Sequence, residues 1–107
     1  MRLIEIIYTA QKKAGQSPCR NRVSALGFNK NGDCVMKAFN KYRFERKGGG
    51  IHAERQIMQQ AKKKGIVHIL ICRVGRSGNL LPIEPCSKCQ KIADKLGIVI
   101  SSVPIES

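Results

Sequence analysis

The stretch His52-Ala53-Glu54-Arg55-Gln56-Ile57-Met58-Gln59-Gln60-Ala61-Lys62-Lys63-Lys64-Gly65-Ile66-Val67-His68-Ile69-Leu70-Ile71-Cys72-Arg73-Val74 decides the fold. In its first half Ile57, Met58 and Ala61 recur at helical steps, with Ile51 just ahead of them. That spacing predicts a helix from about His52 to Lys64, stopped by Gly65. The second half, Ile66 to Val74, is nearly continuous in apolar residues, as expected for a strand covered on both faces.

Towards the C-terminus, Gly75 to Asn79 reads as a polar turn, and Pro85 opens a third helix whose buried side is Ile92, Ala93 and Leu96, ending at Gly97. Ile98 to Val103 makes a last strand. Towards the N-terminus, Leu3, Ile6, Ile7, Ala10 and Ala14 fall on one helical stripe that ends near Gly15. Ser17-Pro18 breaks the chain, and strands Arg22 to Phe28 and Cys34 to Phe39 follow. Asn31-Gly32 between them favours positive φ and hence a β-hairpin. Lys41 to Lys47 is basic with two interleaved aromatics, and Gly48-Gly49-Gly50 loosens the backbone before His52. This element order implies one α/β layered domain over residues 1–107, with parallel pairing across the later helices.

A chain of 107 residues that is 42% hydrophobic and 25% charged can fold as one domain. It buries a modest share of its surface, so a metal or partner subunit would help it. Lys plus Arg is 20 and Asp plus Glu is 7, a net +13 that suits a phosphate-bearing partner and argues against a binder of cations. No apolar run approaches the ~20 residues of a membrane span, so no membrane partner is expected. Glu5 interrupts the apolar N-terminus and no small-residue cleavage site follows, so no signal peptide is expected either. Cytoplasmic residence follows as an expectation. Of five cysteines, Cys86 and Cys89 form a C-x-x-C pair, which in such a compartment reads as metal or redox chemistry.

The chemistry lies in His52-Ala53-Glu54 and Pro85-Cys86-Ser87-Lys88-Cys89. Cys86 and Cys89 sit three apart at a helix start, so both sulfurs point to one side of its first turn. The positive end of the helix dipole favours thiolates there. His52, opening the other helix, adds an imidazole. These are three ligands for tetrahedral Zn²⁺, leaving the fourth position open to water, as in a catalytic site. Glu54, two residues beyond the ligand, can take a proton from that water and hand it to a leaving amine.

H-x-E followed by P-C-x-x-C is the signature of zinc-dependent nucleobase deaminases. From about Arg22 to Val103 the chain resembles the cytidine deaminase-like superfamily. The resemblance implies a three-layer fold, a mixed sheet of N-terminal hairpin and parallel strands with helices on its faces. It also implies a hydrolytic deaminase acting on cytosine of a nucleoside or nucleotide. His52, Cys86 and Cys89 would bind zinc, Glu54 would be catalytic, and Asn40 would contact the bound nucleoside. Ala53 and Pro85 are counted with the residues bordering the substrate. The Gly-rich approach to His52 also looks like the deaminases of riboflavin synthesis. Many relatives continue with further elements after the last helix and strand, so a homo-oligomer that completes the pocket is expected. A base within single-stranded DNA or RNA is the alternative substrate, favoured by the +13 charge. A deaminase-fold binding module is the non-enzymatic alternative.

Plainer readings stand beside these. The zinc site could be structural, with Cys72 or Cys34 as fourth ligand, which would leave Glu54 unexplained. His68, within an apolar strand, reads as a hydrogen-bonded structural histidine. Cys34 and Cys72 read as small buried hydrophobes, and Cys19, in a loop after a proline, as the one open to exposure. Tyr42 or Phe44 could stack on a base and Arg43 or Arg46 meet phosphate, or this stretch could be a solvated loop. Lys62-Lys63-Lys64 suits a helix C-terminus.

Overall fold

The computed structural model describes residues 3–17, 22–42 and 50–103. Helix α1 (Leu3–Gly15) leads into strands β1 (Arg22–Asn29) and β2 (Cys34–Phe39). Two short strands, β3 (Lys41–Tyr42) and β4 (Gly50–Ile51), precede α2 (Ala53–Lys64). Then come β5 (Ile66–Val74), β6 (Leu80–Leu81), α3 (Ser87–Leu96) and β7 (Val99–Ser102). Ile51 thus belongs to β4, opposite Lys41, and not to the helix it was expected to join. Pro85 lies two residues before α3, which starts on Cys86 as its N-cap.

β1 and β2 form the expected hairpin, its loop closed by bonds from the Asn31 and Asp33 N–H groups to Asn29 Oδ1. β1 also pairs along its length with β5, again antiparallel, from Arg22 opposite Val74 to Asn29 opposite Ile66. The far edge of β5 is shared by β6, antiparallel, and β7, parallel. The sheet is therefore mostly antiparallel, and the expected set of parallel strands reduces to the β5–β7 pair around α3. The reason is topological. β2 and β5 point the same way, but β1 lies between them, so the crossover through α2 creates no parallel contact.

Side chains of the central strands alternate between two cores, as a two-residue period requires. Ile69 and Ile71 of β5 pack with Ile57, Met58 and Ala61 of α2 and with Cys89 and Ala93 of α3. Cys72 and Val74 pack on the other face with Ala10 and Ala14 of α1. The three layers are α1, the sheet, and the α2–α3 pair. Small residues let α1 approach closely enough for the buried Ser24 hydroxyl to donate to the Ala10 carbonyl at 2.7 Å. Leu96, expected on the buried side of α3, is 52% exposed; Ala93 holds that side instead.

Gly27 marks the tightest approach of α2 to the sheet. A Cβ there would stand 2.8 Å from both Ile57 Cγ2 and Ile66 Cδ1. Gly27→Ala is expected to destabilise by about 1–3 kcal/mol, measured by urea unfolding, because the collision lies in packed core.

Cys72 is fully buried, and burial pushes its thiol up from 9.0 to about 11, against a smaller opposing effect from Ser24. The folded chain thus holds this proton more tightly than the unfolded one. The contribution is fully present below pH 9 and is lost as pH rises towards 11. Melting temperatures taken across that range should fall, and Cys72→Ala should flatten the fall.

Candidate metal centre

Two helix starts meet beside the start of β1, where Val23 lines the same cavity. His52 caps α2 in extended backbone, φ −65° and ψ 141°, with its carbonyl accepting from the Gln56 N–H at 3.3 Å. Its imidazole makes no capping bond, so the ring is available for other work. Cys86 caps α3 likewise, and its Sγ accepts from the Cys89 N–H at 3.4 Å. Glu54 lies in the first turn of α2, where the helix dipole favours an anion.

His52 Nδ1 is 3.5 Å from Cys89 Sγ and 3.4 Å from Glu54 Oε1. With Cys86 Sγ, these ligand atoms all fall within 4.8 Å of one another. Cys89 is fully buried and Glu54 nearly so, while His52 is about half exposed. The donor set fits zinc. Tetrahedral ligands at about 2.3 Å for sulfur and 2.0 Å for nitrogen stand about 3.5 Å apart, the separation seen here between Cys89 and His52. Electrostatics agree. Burial pushes the Cys89 thiol well above its ordinary range, and the neighbouring Cys86 and Glu54 push it the same way. A divalent cation would offset that cost by binding the thiolates of Cys86 and Cys89.

The donors open onto a cavity of ≈ 200 Å³ lined by Val23, Asn40, His52, Ala53, Glu54, Ile83, Glu84 and Cys86. Asn40 is fixed by a short bond from the Ser17 hydroxyl to its Oδ1, 2.5 Å, and one from the Val23 N–H, 3.0 Å. A larger cavity, ≈ 730 Å³, lies at the C-terminal ends of α2 and α3, and none of the metal donors lines it.

The family model for the cytidine and deoxycytidylate deaminase zinc-binding region matches residues 1–105. The chain belongs to this family. Among solved structures, this deaminase domain is similar to a cytidine deaminase from Burkholderia pseudomallei, with TM-score 0.68 and 19% identity over 91% of this chain and 78% of that one. A cytidine deaminase from Mycobacterium leprae superposes with TM-score 0.65 and 16% identity over 94% of this chain and 87% of that one. One from Mycobacterium tuberculosis gives 0.63 and 17% over 94% and 85%. No curated protein sequence matches the chain.

Within the deaminase domain, His52, Glu54, Cys86 and Cys89 stand together as the motif requires, and Asn40 and Ala53 line the same cavity. Pro85 precedes Cys86 but is not in the lining. Tyr42 is described through its backbone pairing in β3, while its side chain, like Phe44, Arg43, Arg46 and Cys19, lies outside what is described. Cys34 and Cys72 pack with α1, across the sheet from Cys89, and so stay apart from the donors. His68 bonds Ser101 Oγ through Nε2 at 2.8 Å beside Phe28, a structural histidine. Lys62, Lys63 and Lys64 are exposed in the last turn of α2, as the dipole favours. Sequence reasoning missed Val23, Ile83 and Glu84. They come from a strand and a loop that carry no local signal and meet the site only after folding.

Proposed function

We propose that this zinc deaminase removes the exocyclic amine of cytosine carried by a nucleoside or nucleotide, giving uracil and ammonia. The observation that carries the reading is the gathering of His52, Glu54, Cys86 and Cys89 at one end of a cavity that also holds Asn40. The solved neighbours are titled cytidine deaminases, which supports cytosine as the base.

His52, Cys86 and Cys89 would hold the metal. Zinc, when bound, supplies a Lewis acid that lowers the pKa of water at the site to about 7. Glu54 is buried and in contact with His52, so its carboxylate stays aimed into the cavity. It takes a proton from the attacking water as the C–O bond forms at the ring carbon. That proton passes to the ring nitrogen. The second water proton passes to the amine, the C–N bond breaks, and ammonia leaves with the electron pair of that bond. Asn40 would help hold the substrate, and Ala53 would let the base lie close to the start of α2.

Ammonia release from cytidine, deoxycytidine, their monophosphates, adenosine, guanine and cytosine-containing oligonucleotides tests the proposal. Turnover of cytosine substrates alone is expected; preference for a purine would overturn it. Cytoplasmic residence and a second copy completing the pocket belong to the same reading. Val67 and Val99, exposed near the β7 edge, leave apolar surface for that copy, and sedimentation checks it. Among the described residues, no helix is long and apolar enough to cross a membrane.

A further inference from the structure

We propose that the groove between α1 and β2 is a binding track for single-stranded nucleic acid. The groove, ≈ 330 Å³, is lined by Tyr8, Thr9, Lys12, Lys13 and Gln16 of α1 and by Lys37 of β2. This binding does not rest on the deaminase reading above.

Charge comes first. Three lysines line one small groove, no acid lines it, and no ion pair joins these lysines to a described carboxylate. Clustered like charge favours a polyanion as the occupant. Helix-dipole compensation accounts for Lys12 and Lys13 in the last turn of α1. It does not account for Lys37, which comes from the strand.

Tyr8 is the second observation. It is 65% exposed on the same wall, so a flat aromatic face stands beside the cations. Aromatic platforms set among basic side chains are how single strands are held without sequence preference. An acidic peptide would call for an aliphatic floor, and this groove is lined by polar and cationic groups. The basic surface at the far ends of α2 and α3 has that floor, with Ile66, Leu96 and Ile98 and no aromatic, so it provides the control.

Continuity is the third. Lys13 Nζ lies 5.0 Å from the centroid of the Phe39 ring. The next residue, Asn40, lines the metal-centre cavity. Ser17, adjacent to Gln16, is hydrogen-bonded to Asn40. The groove thus ends at the Ser17–Asn40 contact, with α1 and the metal donors on opposite faces of the sheet.

Fluorescence anisotropy with a labelled oligothymidylate of about 12 nucleotides tests the track, across salt. The zinc-loaded full chain is expected to bind with affinity that falls steeply with salt. Tyr8→Ala should weaken binding by about tenfold or more, through lost stacking. Lys12→Ser with Lys37→Ser should reduce the log–log salt slope by about 1.4, at about 0.7 per phosphate contact. Lys62→Ser with Lys64→Ser, the same charge change at the opposite end, should leave affinity within about twofold. Thermal melting confirms that each variant folds. The track is overturned if the control pair weakens binding as much as the groove pair, if Tyr8→Ala binds like the parent, or if polyglutamate competes as well as the oligonucleotide. Site-specific oligonucleotide binding with no ammonia from any cytosine substrate would support the track and overturn the deaminase reading.

Discussion

Glu54→Gln is expected to cut ammonia release from a cytosine substrate by about 10²–10⁴-fold, the range for losing a positioned proton carrier. Glutamine keeps the shape of a side chain that is 5% exposed and in contact with His52, so the cavity should stay intact. Its amide cannot take a proton from water and return it to nitrogen. Zinc content, measured by atomic emission, should stay near one per chain, because the proposed ligands are His52, Cys86 and Cys89. Loss of turnover with metal retained separates a proton-carrying Glu54 from a ligating one. Turnover equal to the parent's would remove Glu54 from the mechanism and return the site to a structural reading.

Cys89→Ser is expected to have the other large effect, on metal and stability together. Cys89 is fully buried in the core between α2, α3 and the sheet, and its Sγ is 3.5 Å from His52 Nδ1. Serine offers a harder, less easily ionised donor, so zinc affinity should drop sharply and activity with it. A ligand bound only by the folded chain stabilises by about 4 kcal/mol when its free concentration is a thousandfold above Kd. For a domain of roughly 100 residues each kcal/mol moves the melting temperature by about 4–8 °C. Chelation of the parent should reproduce most of the variant's loss in melting temperature, and chelation of the variant should add little. A variant that kept its zinc and its melting temperature would exclude Cys89 as a ligand.

Much of this was legible before folding because the signals are local. Ile66–Val74 declares itself as a buried strand by its unbroken apolar run, and Asn31-Gly32 declares a hairpin by its backbone preference. Ile57, Met58 and Ala61 carry a helical period, and His52, Glu54, Cys86 and Cys89 carry their chemistry in residue type and spacing. What was not legible is shorter than a period or depends on distant partners. β3, β4 and β6 have two residues each, too few for any alternation to show. Leu96 continues the apolar stripe of α3 yet projects past the core, because Ala93 and Ile98 already close that side.

Residue order by itself determined the longer elements and the H-x-E and C-x-x-C donor set, since each depends on neighbours a few positions apart, and composition alone set the positive charge. Only the folded arrangement decided that β1 separates β2 from β5, leaving the sheet mostly antiparallel. It also decided that Ser17 would lock Asn40 into the wall of the site, and that Lys37 would join Lys12, Lys13 and Tyr8 across a groove. The Ser17–Asn40 contact alone spans 23 positions of the chain. Strand order and helix docking bring such residues together, through hydrophobic burial that is blind to spacing along the chain.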